Sequence, residues 1–211
     1  MIESPSAAMR IPTLTYAALR RIGVPVFRGL YRLQTLGGDR VPAQGPVIVV
    51  ANHESVLDPF VLGCAIEREL RFLAKAELWR HRPVAWAMDS LQAIRVERGR
   101  GDRDALEEIR RALEAGEAVA IFPQGDVRAV GPWHRGAAKL ALTTGAPVVP
   151  VRLVGTARAL SRGQLGLPRL RVVIGEPILV HPIPVDIRPV TIAVARRLTE
   201  RLRAAVESLA D

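Results

Sequence analysis

Short apolar runs alternate with segments of helical period along most of the chain. Val47–Ala51 is a β-branched run behind Gly45-Pro46 and predicts a buried strand. Leu70–Ala74, Ala93–Glu97, Ala118–Phe122, Val148–Leu153 and Leu170–Ile174 read as further strands. Helical patterns lie between them. Pro59 opens one that runs to Ile66. Asp104–Ala115 places Leu106, Ile109, Ala112 and Leu113 at helical spacing and stops at Gly116, a residue suited to the left-handed turn of a helix end. Gly136–Thr144 predicts another helix. Pro182–Pro189 is a proline-rich connector to a last amphipathic helix, Thr191–Leu209. Strands alternating with helices imply an α/β fold: a single domain with a largely buried central sheet flanked by helices.

The beginning of the chain has a different pattern. Residues 1–9 read as a frayed terminus. From Ile11 to Leu36, apolar positions such as Leu14, Leu19, Ile22, Phe27 and Leu30 are interspersed with Arg20, Arg21, Arg28 and Arg32, and no acidic residue occurs. Pro25 predicts a break into two short helices. A basic amphipathic segment can lie in a membrane interface, its apolar face in the acyl boundary and its arginines among the phosphates. The ordinary alternative is a helix packed on the protein body. The lack of any acid favours the membrane. The expected division is a basic, membrane-associating helical segment, 1–36, followed by one domain, 37–211.

Composition narrows the chemistry. The 211 residues are 49% hydrophobic and 24% charged, which suits one domain with a real core. A lone cysteine, Cys64, supports neither a disulfide framework nor a cysteine-based zinc site. No uninterrupted apolar run reaches the roughly 18 residues of a membrane span, and charges interrupt every early apolar stretch, against a cleavable leader. The net charge is +9, and of 30 basic residues only Lys75 and Lys139 are lysine. Arginine offers a planar fork to phosphate oxygens, so the partners in view are nucleic acid, an anionic membrane or a phosphorylated substrate. Aromatic residues make up 4% and do not interleave with the basic ones, which removes the stacking platform that nucleic acid needs.

Several common sites are missing from the sequence. It contains no Gly-x-Ser-x-Gly elbow, no phosphate-binding loop ending in lysine and no Gly-x-Gly-x-x-Gly. His53-Glu54 opens like a zinc-binding helix, but Leu57 stands where the second histidine belongs, and the four histidines are scattered; no metal site is expected. What remains is Asn52-His53-Glu54-Ser55-Val56-Leu57-Asp58-Pro59, directly after the first strand. Pro59 suits a first helical turn, so Asp58 reads as the N-cap and the residues before it as a loop. Such a loop can fold the Asp58 carboxylate back onto the His53 imidazole. That bond fixes the tautomer and leaves the other ring nitrogen free to act as a base on a substrate hydroxyl. Alternatively Asp58 is a cap alone and His53 an ordinary loop residue.

Residues 47–156 resemble, block by block, the glycerolipid acyltransferases of the 1-acyl-glycerol-3-phosphate acyltransferase type. His53 through Asp58 matches their His-x4-Asp block. Phe72–Leu78 is similar to the segment that follows it, and Ala93–Arg100 to the second block, with Arg98 as its arginine. Ile121-Phe122-Pro123-Gln124-Gly125-Asp126-Val127-Arg128 resembles the third block, Phe-Pro-Glu-Gly-Thr-Arg-Ser, and Lys139–Val151 the fourth. Two departures stand in the third block. Gln124 replaces the usual glutamate and Asp126 the threonine, while the arginine is shifted one place, to Arg128.

The resemblance implies acyl transfer from acyl-CoA or acyl-carrier-protein to the hydroxyl of a lysophospholipid, most simply 1-acyl-glycerol-3-phosphate. It implies no bound cofactor, and work at the cytoplasmic face of an anionic membrane as a peripheral or monotopic protein. His53 would be the general base and Asp58 its orienting partner; Arg98, Lys75 and Arg128 would meet the acceptor phosphate, with Gln124 and Gly125 beside them. A neutral Gln124 is expected to leave the arginines less restrained and to widen acceptor choice. Other lyso- or glycolipid acceptors, or a non-catalytic lipid-binding role, are the competing readings.

Overall fold

A computed structural model describes residues 14–96, 101–159, 167–183 and 188–209. The apolar runs form a seven-stranded sheet: β1 (Gln34–Leu36), β2 (Val47–Ala51), β3 (Leu70–Lys75), β4 (Ile94–Val96), β5 (Ala118–Ile121), β6 (Val148–Val154) and β7 (Arg171–Ile174), in the order β1-β7-β6-β2-β5-β3-β4. β2 lies inside it, parallel to β5 and β6, with Val49 opposite both Ala120 and Val149. Among the pairings of these seven strands, β6–β7 is antiparallel and the others are parallel. All five β2 residues are fully buried, which is why the run shows no polar alternation.

Helices cover both faces. α1 (Leu14–Leu30), α2 (Asp58–Ala65) and α3 (Arg82–Ser90) lie on one; α4 (Gly101–Glu114), α5 (Gly136–Thr144) and α7 (Arg188–Ser208) lie on the other, with a single turn, α6 (Thr156–Ala159), after β6. Successive β2 side chains point to opposite layers. Val47, Val49 and Ala51 join Tyr16, Val61 and Leu62; Ile48 and Val50 join Ile109, Leu140 and Leu202.

Three expectations change. α1 is one helix rather than two, running through Pro25. Pro25 and Arg21 both face solvent, so water can take the carbonyl that the missing N–H leaves unpaired. The residues just after α1 form β1, which pairs with β7, so the sheet begins at Gln34. α3 is an additional helix. The amphipathic segment also packs on the body along one face: Tyr16 is 1% exposed and its hydroxyl accepts the Leu70 N–H at 3.2 Å. Leu14, Ile22 and Leu30 of the same helix are exposed. Among the described residues no helix is long and apolar enough to cross a membrane. Residues 1–9, Arg98 and the middle of the proline-rich connector, 184–187, lie outside the described residues.

Candidate active site

The chain leaves β2 at Ala51 and makes a loop before α2. Asn52 anchors that loop: its side-chain amide accepts the Leu153 N–H (2.7 Å) and donates to the Leu153 carbonyl (3.0 Å), pairing with β6 as a strand residue would. The loop then doubles back, and Asp58 Oδ2 lies 2.9 Å from His53 Nδ1. The same oxygen accepts the backbone N–H groups of Glu54 (2.6 Å) and Ser55 (2.9 Å). Three donors on one oxygen of a fully buried carboxylate fix both partners, while the His53 side chain keeps 16% of its surface exposed.

This corrects the reading of Asp58 as the helix N-cap. Leu57 occupies the cap position with no side-chain hydrogen bond there, and Asp58 stands in the first turn with Pro59. Its carboxylate turns back to the loop amides instead of forward to the helix. With Nδ1 donating to Asp58, Nε2 retains the lone pair. The His53 ring is stacked on Phe122 at 4.4 Å between centroids.

The loop after β5 grips His53 from both sides. Gln124 Oε1 accepts the His53 backbone N–H, and the Arg128 N–H donates to the His53 carbonyl at 2.9 Å. The Arg128 guanidinium donates from Nε to the Glu54 carbonyl (3.1 Å) and from Nη2 to the Ala157 carbonyl (2.5 Å). Arg128 adopts φ +56°, an uncommon backbone conformation for a side chain of this size, held by those bonds. Gly125 has φ +77°, and a Cβ there would stand 3.0 Å from the His134 imidazole, so glycine suits this turn twice over. Gln124 Nε2 donates weakly to the Ala129 carbonyl at 3.5 Å. The bonds of Gln124 thus go to backbone groups, and Arg128, expected to be less restrained beside a neutral Gln124, is instead held by the Glu54 and Ala157 carbonyls. Lys75, the last residue of β3, forms an ion pair with Asp126 in the same loop.

The Acyltransferase family model matches residues 32–154, which include His53, Asp58, Lys75, Gln124 and Arg128. The chain belongs to the acyltransferase family. It is 30% identical over 158 residues to the chloroplast 1-acyl-sn-glycerol-3-phosphate acyltransferase of Brassica napus, covering 70% of this chain and 45% of that protein. A probable 1-acyl-sn-glycerol-3-phosphate acyltransferase of Mycoplasma genitalium is 34% identical over 128 residues, or 56% of this chain and 47% of the other. The crystal structure of the 1-acyl-sn-glycerophosphate acyltransferase PlsC from Thermotoga maritima superposes with a TM-score of 0.63 at 25% identity, over 90% of this chain and 80% of that one. The chain spans about half the length of the curated relatives it matches.

As an acyltransferase fold, the molecule places these residues at the carboxyl ends of adjacent strands, β2, β5 and β3, where open α/β sheets form crevices. An apolar cavity of about 580 Å³ lies alongside, between α1, α2 and α3, lined by Tyr16, Leu19, Phe60, Gly63, Cys64 and Trp86 among others. Burial pushes the Cys64 thiol up to about 11, which leaves it a packing residue. Among the described residues no three acidic, histidine or cysteine side chains converge on a metal position. Sequence reasoning missed Asn52, Phe122 and the partnership of Asp126 with Lys75. Only the last left a signal, as a departure from the third block.

Proposed function

We propose that this acyltransferase moves a fatty acyl group from acyl-CoA or acyl-carrier-protein to the free hydroxyl of 1-acyl-glycerol-3-phosphate, giving phosphatidic acid. The observation that carries the reading is the His53–Asp58 hydrogen bond, made by an almost enclosed imidazole at a crevice mouth. As the hydroxyl oxygen attacks the thioester carbonyl, Nε2 takes its proton. Asp58 holds the ring in register and balances the imidazolium. Collapse of the tetrahedral intermediate expels the thiolate, which recovers the proton from His53. The hydroxyl is the only nucleophile, so no acyl-enzyme forms and no cofactor is needed. Lys75 and Arg98 are the cations suited to the acceptor phosphate, and Arg128 seats the base through the bonds it makes to the loop backbones.

The cavity suits an acyl chain. α2 carries Asp58 at its start and Phe60, Gly63 and Cys64 along the cavity wall, so one helix links the catalytic carboxylate to the apolar space. Leu14, Ile22 and Leu30, exposed beside Arg21 and Arg28 on α1, suit peripheral docking on the anionic cytoplasmic face of a membrane. The competing lyso- and glycolipid acceptors are separated by the same assay.

The test is product analysis with labelled acyl-CoA and a panel of lyso-acceptors. The protein should form phosphatidic acid, and His53→Ala should lower turnover by about 10²–10⁴-fold at unchanged circular dichroism. A folded His53→Ala variant with the turnover of the parent would remove His53 from the mechanism.

A further inference from the structure

We propose that Asp126 sets acceptor choice, by occupying the ammonium of Lys75 that an anionic head group must win. The inference rests on the transferase reading above and concerns the same rim of the site. Lys75 ends β3 and Asp126 follows β5, the strand beside it, so the pair bridges the two strand ends next to His53. Asp126 is not a freely placed surface charge. Gln124 and Arg128, two residues to either side, are both hydrogen-bonded to the His53 backbone, so the clamp that seats His53 also positions the backbone that carries this carboxylate.

Arg128, a second cation on the same loop, has its guanidinium directed to the Glu54 and Ala157 carbonyls. An arriving phosphate monoester carries a charge of roughly −1.5 to −2. To contact Lys75 it must displace Asp126 and then sit near it. An uncharged head group does neither. The Lys75 and Asp126 side chains are 34% and 50% exposed, and an ion pair so placed is held only weakly in water. Exchange is therefore feasible, and Asp126 tunes the preference for phosphate without forbidding it. Repulsion of the unwanted charge is a common device for setting specificity. It widens acceptor use by weakening one acceptor more than another.

The measurement is kcat/KM for lysophosphatidate and for a monoacylglycerol of equal chain length, both in the same neutral detergent micelles. Asp126→Asn keeps the shape and removes the charge. It should raise the lysophosphatidate-to-monoacylglycerol ratio about three- to fivefold, through KM for lysophosphatidate. In a Lys75→Met background the same substitution should give less than half that gain. A ratio that stays within about twofold of the parent's overturns the inference and leaves the pair a brace between strand ends. A full gain without Lys75 also overturns it, since the effect is then repulsion alone. If the unaltered protein acylates neither acceptor, the transferase reading itself fails, and the two failures are told apart by that control.

Discussion

The layer of α4, α5 and α7 and the layer of α1, α2 and α3 cover opposite faces of one sheet, yet they are built differently. The first is filled. Ile109, Leu113, Ala141, Leu202 and Val206 are essentially inaccessible, and its outer faces carry helical ion pairs such as Arg110 with Glu107 and Glu114, and Arg203 with Glu207. The second borders an open cavity whose wall includes Leu14, Ile22 and Trp86, 88%, 70% and 63% exposed, with no acidic residue in α1. Both faces pack a buried cluster against the sheet. The outer part of the second layer, between α1, α2 and α3, also leaves a space and a surface that suit apolar chains. The loop of His53 and Asp58 follows β2, at the end of a strand the two layers share.

The sharpest way to break this contrast is truncation in each layer. Leu113→Ala in the filled layer should cost about 2–5 kcal/mol in denaturant unfolding, because the packed side chains around it cannot collapse into the gap. Leu19→Ala, on a wall that already borders empty space, should cost about 1 kcal/mol or less. Equal losses would show that the layers share the load.

Alkaline pH should loosen the open layer first. Burial raises the Tyr16 hydroxyl from 10.0 to about 12 and the Cys64 thiol from 9.0 to about 11. Both are neutral in the folded chain and ionise more readily once unfolded. Their contribution is therefore complete below about pH 9 and disappears as pH rises through 11 to 12. Melting temperature should fall across that window, and a Tyr16→Phe, Cys64→Ala double variant should fall less steeply.

Two smaller effects sharpen the comparison. Ala18, on the cavity wall at the surface of α1, can take a larger side chain. Ala18→Trp should shift acyl preference toward shorter chains by about tenfold in kcat/KM, with little change in stability. On the filled side, Glu207→Gln removes the 2.7 Å pair with Arg203 and should change stability by only about 0.3–0.5 kcal/mol.

The filled layer and the central strands were readable because their signals are local. Gly136–Thr144 coincides with α5, since Gly145 at φ +70° ends the helix where its backbone requires. β2 was readable from its β-branched run. α3 was not: it buries only Met88 and Ser90, too few positions to show a period. The bond from His53 to Asp58 spans five residues and could be anticipated from spacing and from the resemblance. Gln124 with His53 and Arg128 with Glu54 join residues 71 and 74 apart, and nothing local announces them. Asp58 shows the same limit in reverse. Its local context suits a cap, and the loop amides claimed its carboxylate instead.

The bond between Asn52 and Leu153 has a consequence for how the protein comes into being on the ribosome. The residue beside His53 is seated by a partner 101 positions later, on a strand that also pairs with β7 at its far side. A nascent chain holding only the first half of the sequence has His53 and Asp58, but nothing to hold Asn52 in line. Contacts this distant in sequence form late and slowly. The loop is thus held in place only once β6 and β7 have been made, and chains that stop short of Leu153 should lack transferase activity.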